Sequence, residues 1–153
     1  NAQLLRYSAS LVRPQGITAG GMAGIKLAQG ARVLAFGVIV ADVAEQARVV
    51  TVAAPVSDDD GLFTADAYGT AKVSALEDFP SKGRATGGVR AQRFLTGESE
   101  LALAWTGGEP PLANARDGAI RKLPAELGRR DGSGVPLEGA VGWLGGAMGD
   151  TQE

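Results

Sequence analysis

Residues 79–94 read Phe-Pro-Ser-Lys-Gly-Arg-Ala-Thr-Gly-Gly-Val-Arg-Ala-Gln-Arg-Phe. Lys82, Arg84, Arg90 and Arg93 crowd around glycines at 83, 87 and 88, and no acid interrupts them. Glycine lets the backbone take positive φ or come close to another chain segment. Four cations on one tight loop form a surface for phosphate oxygens, through charge and through N–H donation. A solvated hairpin turn has the same composition, so the binding reading rests on repetition.

The stretch recurs. Ser8-Ala9 through Pro14 and Gly16–Met22 match Ser74-Ala75 through Pro80 and Gly83–Val89, with a one-residue slip between proline and glycine. Gly20-Gly21-Met22 falls on Gly87-Gly88-Val89, and Lys26-Leu27 falls on Arg93-Phe94. A weaker third copy runs from Leu123-Pro124 into Gly128-Arg129-Arg130-Asp131-Gly132-Ser133-Gly134-Val135, with Arg130 on Arg84 and Gly134-Val135 on Gly88-Val89. The cations of the central copy that can take up phosphate are Lys82, Arg84, Arg90 and Arg93. Repetition of a β unit at such a period points to a propeller-like or solenoid stack in which each unit covers the next.

The elements that carry these turns are strands. The chain has 153 residues, 23 of them glycine, few aromatics, and apolar residues in short Val/Leu/Ala/Ile runs, which favours an all-β chain. Strand patterns fall at Gln3–Ala9, Met22–Leu27, Arg32–Val40 and Arg48–Ala53. Leu62–Asp66 with Thr70–Ala75 reads as a hairpin joined near Tyr68-Gly69. Further strands are expected at Glu100–Thr106, Ala119–Leu123 and Val135–Leu144, with Pro110-Pro111 as a break. Helix competes only over Val40–Val50. Residues 145–153 look frayed.

With no cysteine and no histidine, disulfide scaffolds, Cys-based zinc sites and the commonest general base are excluded. No apolar run approaches the roughly 18 to 20 residues of a membrane span. No signal peptide is visible, so a cytoplasmic, soluble chain is expected. The opening on Asn1, inside a strand pattern, looks like a cut from something longer. Net charge is −2, and its distribution is uneven: residues 1–41 contain no acid, whereas Asp42, Glu45 and Asp58-Asp59-Asp60 follow against Arg48 alone. Cations thus gather near glycine turns and acids in the loops between, which can give a positive arc on a slightly acidic molecule.

At these residues the chain resembles the C-terminal domain of the A subunit of bacterial type IIA topoisomerases, DNA gyrase and topoisomerase IV. The family's blade runs as strand, hairpin, a Pro-containing segment, a Gly-Arg-x-x-Gly-Gly-Val turn and a final strand. Here those parts fall at Arg48–Ala53, Leu62–Asp66, Thr70–Leu76, Asp78–Val89 and Arg90–Phe94. The resemblance implies a β-pinwheel, propeller-like in outline, of about three repeats of four-stranded blades and incomplete or open. One domain would span 1–144, with a blade end at 3–27 and blades at 32–94 and 100–144. It further implies a positively charged rim, at Arg84, Arg90 and Arg93 with Lys82, then Arg13 and Lys26, then Arg129 and Arg130, that binds and bends duplex DNA through phosphates, as a monomeric module of a nucleoid-associated enzyme. Its protein partners would be the rest of the A subunit and the ATPase subunit, with no cofactor, no metal and no catalytic residue here. The glutamine-arginine-arginine-glycine box of gyrase is absent and the family's full domain usually has more blades than this chain can hold, which favours a topoisomerase IV-type or gyrase-like paralogue domain with weaker wrapping, or a truncated fragment. A protein-interaction propeller whose arginine turns meet acidic partners is the alternative.

Other motifs carry less. Gly16–Gly24 lacks the Gly-Lys-Ser/Thr of a P-loop and does not fit the dinucleotide fingerprint. Asp58-Asp59-Asp60-Gly61 lacks the alternation and distal glutamate of a calcium loop. Nothing brings Glu77-Asp78 to Glu98 and Glu100 as an acid–base pair. Trp105 and Trp143 are expected to anchor blade cores, and Tyr7 and Tyr68 to be structural.

Overall fold

The computed structural model describes residues 2–55 and 68–146. The expected strand Leu62–Asp66, the aspartate run and the tail from 147 lie outside the described residues. Strands are β1 (Gln3–Leu4), β2 (Arg48–Pro55), β3 (Thr70–Ala75), β4 (Val89–Arg90), β5 (Glu98–Gly107), β6 (Pro111–Asn114), β7 (Ile120–Arg121), β8 (Val135–Pro136) and β9 (Trp143–Gly146). Short 3₁₀ turns cover Ala9–Leu11, Ala41–Gln46 and Leu76–Asp78. The chain is all-β. Among the described residues no helix is long and apolar enough to cross a membrane.

Among the described residues the strands form three antiparallel sheets, β1-β4, β5-β2-β3-β8 and β7-β6-β9, none of them closed. β2 is central because its β-branched run Val49-Val50-Thr51-Val52 suits a strand flanked on both edges. It pairs with β3 from Arg48↔Ala75 to Ala53↔Thr70 and with β5 from Arg48↔Gly107 to Pro55↔Glu98. All six residues of β3 are buried. The core cluster is Ala47, Val49, Leu76, Phe79 and Ala91, with Leu4, Ile39 and Val89 packed against it.

Several expectations change. The helix-competent stretch becomes only the 3₁₀ turn at Ala41–Gln46 before β2 begins. Met22–Leu27 keeps one parallel bridge, Ile25 to Thr86, and Arg32–Val40 forms no strand. Val135–Leu144 splits between β8 and β9, which join different sheets, and Gly145 and Gly146 belong to β9 rather than to a tail. Trp105 is half-buried, but Trp143 is 66% exposed and anchors no core.

The repeat is written in hydrogen bonds. At a first seam β1 pairs with β4 as Gln3↔Arg90 and Leu4↔Val89. There Lys82 N donates to Arg6 O (2.9 Å) and Lys26 N to Thr86 O (2.9 Å). At a second seam β3 pairs with β8 as Thr70↔Pro136 and Ala71↔Val135. There Gly128 N donates to Val73 O (2.8 Å) and Arg93 N to Gly132 O (2.9 Å). One offset of 67 converts Gln3, Leu4, Arg6 and Lys26 into Thr70, Ala71, Val73 and Arg93; one offset of 46 converts Lys82, Thr86, Val89 and Arg90 into Gly128, Gly132, Val135 and Pro136. The same 67 carries the 3₁₀ turn at Ala9–Leu11 onto Leu76–Asp78, and its cap Val12 (φ −98°, ψ 108°) onto Phe79 (φ −95°, ψ 112°). The slip inferred from matching Pro14 to Pro80 is therefore absent from the backbone.

Candidate functional site

The arginine of the turn works across the seam. Arg84 Nη1 donates to Ala23 O, and Arg130 Nη1 donates to Arg90 O at 3.5 Å. The offsets that relate the two seams also relate these two bonds. Each guanidinium therefore ties its turn to the preceding copy with one nitrogen and keeps its remaining donors. Lys82 folds back on its own turn, Nζ to Gly88 O at 3.4 Å.

The glycines serve close approach. A Cβ on Gly134 would sit 2.5 Å from Thr70 Oγ1, and one on Gly128 would sit 2.8 Å from the Lys72 stem. Gly88, aligned with Gly134, has φ +73° and presses on the Leu4 carbonyl. Side chains there would force the turn off the strand beneath it.

Lys26 and Arg93 are equivalent residues on successive seams. Both are exposed, and neither side chain makes a hydrogen bond or ion pair among the described residues. The same holds for Arg13, Arg90 and Arg129. The one ion pair among the described residues joins Arg48 Nε to Glu109 Oε1 (2.5 Å), away from both seams. Arg90 and Arg93 border one cleft of about 410 Å³ together with Gln3, Gln92, Phe94 and Ser99. Lys26 and Arg84 bond across the first seam, to Thr86 and Ala23, and Arg93 and Arg130 across the second, to Gly132 and Arg90. No hydrogen bond or ion pair among the described residues joins Arg13 to the others.

Sequence reasoning missed Lys72. Its residue is only 3% exposed, and Nζ donates to three carbonyls of the third turn, those of Arg129 (3.0 Å), Arg130 (2.6 Å) and Gly132 (3.1 Å). Burial lowers its pKa to about 8; Asp131 opposes the shift and Arg130 adds to it. The ammonium fixes the backbone from which Arg129 and Arg130 project. The signal in sequence was the period-2 polar face Thr70, Lys72, Ser74 inside an otherwise apolar strand. Thr70 and Gln92 extend that polar layer: Thr70 Oγ1 donates to Glu98 Oε1 (2.6 Å) and accepts from Gln92 Nε2 (2.9 Å).

No family model matches the chain, and no curated protein matches it. The arrangement offers cations at repeated backbone positions, which suits an extended polyanion.

Proposed function

We propose that this chain is a non-catalytic module that binds duplex DNA, a β-pinwheel like those of type IIA topoisomerase A subunits. One observation carries the reading. Lys26 and Arg93 hold the same place in consecutive copies, each with its amide tied to the next turn and its side chain free of any carboxylate. A stacking step that repeats places positive charge at a repeating interval, and duplex DNA presents a phosphate about every 1.7 Å of its axis. Arg90, Arg129 and Arg13 add free cations, and Arg84, Arg130 and Lys82 add the donors left over from their backbone bonds. Such contacts set position without reading bases. By bending the duplex, the module tunes the topology preference of an enzyme whose chemistry lies in the rest of the A subunit and its ATPase partner.

Titration of labelled duplexes of unrelated sequence over a salt series tests this. Log K is expected to fall linearly with log salt, by about 0.9 per phosphate contact. Lys26→Ala with Arg93→Ala is expected to lower the slope by about 2 and weaken unrelated duplexes alike. Absence of binding at low salt, or affinity indifferent to salt, sinks the reading. Capture of a polyacidic peptide but not of duplex would move it to an acidic protein partner.

A further inference from the structure

The cleft bordered by Arg90 and Arg93 lies where the two seams meet. Gln3 and Arg90 are register partners in the first, and the Arg93 amide donates to Gly132 O in the second. Its side chains do not belong to the repeat. Under the offsets of 67 and 46, Arg90 becomes Ala23 and Pro136, Gln92 becomes Ile25 and Glu138, and Phe94 becomes Leu27 and Ala140. Stacking does not demand this set, since the second seam forms with Pro136 in the place of Arg90. At about 410 Å³ the cleft falls within the range of small-molecule sites, roughly 300 to 1,000 Å³. One water occupies about 30 Å³ of liquid, so a lone phosphate group would leave most of this space wet.

The chemistry of the walls is set by a fixed network. Thr70 Oγ1 gives its proton to Glu98 Oε1 (2.6 Å), so it must accept from Gln92, which presents Nε2 (2.9 Å). The second oxygen of Glu98 is taken by the Leu95 amide (2.7 Å). What Gln92 has left is Oε1, an acceptor buried without a partner in a residue only 1% exposed. Around it stand two exposed guanidiniums with no side-chain hydrogen bond or ion pair among the described residues, the half-buried ring of Phe94 and the hydroxyl of Ser99. The matching ligand combines an anion, a flat ring and an N–H or O–H donor.

We propose that this cleft takes up a single unstacked nucleotide, its phosphate between Arg90 and Arg93 and its base against Phe94. Guanidinium forks suit phosphate oxygens, and an aromatic face accepts any base. An amino or hydroxyl hydrogen of the nucleotide meets Gln92 Oε1. Inside an intact duplex both faces of a base are covered, so only a free mononucleotide or an unpaired nucleotide of a strand can reach the ring. The duplex reading above concerns phosphates alone, so either can fail without the other.

The test titrates the full chain with deoxyadenosine monophosphate and with inorganic phosphate, following the resonances of Gln92, Phe94 and Ser99. The nucleotide is expected to shift them saturably and to bind at least about tenfold more tightly than phosphate. Phe94→Leu keeps the apolar bulk and loses the ring, and should shrink that advantage to about twofold or less. Arg93→Glu, on an exposed side chain, should abolish both. An oligo-deoxyadenylate single strand tells the sources apart: saturation by the strand alone assigns the cleft to unpaired DNA, and saturation by the mononucleotide as well assigns it to nucleotides in general. A duplex capped by hairpins should leave Phe94 unmoved. Equal affinity for phosphate and nucleotide overturns the inference, and so does an advantage that Phe94→Leu leaves intact. Silence of these resonances toward both mononucleotide and single strand overturns it too, whatever the duplex does.

Discussion

Arg32–Val40 and β5 have the same apolar alternation and opposite fates. Leu101, Leu103 and Trp105 are half-buried beside β2, whereas Phe36 and Val38 face solvent. Alternation tells which side chains share a face of a strand; a partner decides whether the strand exists. The two seams make the complementary point. Their backbone bonds coincide under fixed offsets, yet the residue beneath the second seam is Lys72 and its counterpart beneath the first is Leu5.

The largest effect comes from breaking the paired member of the first comparison. Val50, fully buried between β3 and β5, is expected on Val50→Asp to cost at least about 3 kcal/mol, through an unpaired buried charge. Phe36→Asp is expected to stay within about 0.5 kcal/mol. Urea denaturation of both variants measures the contrast, and equal losses would mean that residues 32–40 are already covered.

A pH series separates the seams next. The folded-state pKa of Lys72, about 8, lies below its ordinary 10.5, so between these values the unfolded chain holds the extra proton. Stability should therefore rise with pH across that window, by on the order of 3 kcal/mol at about 1.4 kcal/mol per pKa unit, and be insensitive to this group below it. Lys72→Met should abolish the rise. A rise that survives in Lys72→Met would assign it to other groups.

Smaller and more symmetrical effects are expected at the aligned glycines. Gly88→Ala disturbs the first seam and Gly134→Ala the second, each by about 1 to 3 kcal/mol through backbone strain or a forced shift. Amide exchange at Lys26 for the first and Arg93 for the second should report which seam has opened. The smallest change is Lys26→Ala, expected to leave stability within about 0.5 kcal/mol while removing about one unit from the salt slope of DNA binding.

The sequence made β2 and β5 legible because Val49–Val52 is β-branched and Leu101, Leu103 and Trp105 alternate. It made the turns legible because parts of Gly83-Arg84-x-x-Gly87-Gly88-Val89 recur, as Gly16, Gly20 and Gly21 in the first copy and as Arg130, Gly134 and Val135 in the third. It misled where residue identity was taken for register: Pro14 resembles Pro80, but the 3₁₀ turns and hydrogen bonds align Val12 with Phe79. Of the eight candidate cations, type and turn were readable, but the backbone bonds of Arg84 and Arg130 were not. Those depend on carbonyls 61 and 40 residues away in the chain. Lys72 stayed hidden for the same reason, since its three acceptors belong to a different copy.

Apart from the turn arginine, the recurring bonds across both seams run between peptide groups, which every residue but proline carries in full. Away from the aligned glycines and Lys72, architecture held this way tolerates different side chains: Arg90 pairs with Gln3 in the first seam and Pro136 with Thr70 in the second. Side chains at those positions can therefore gain or lose charge while the peptide-to-peptide bonds across the seams are kept.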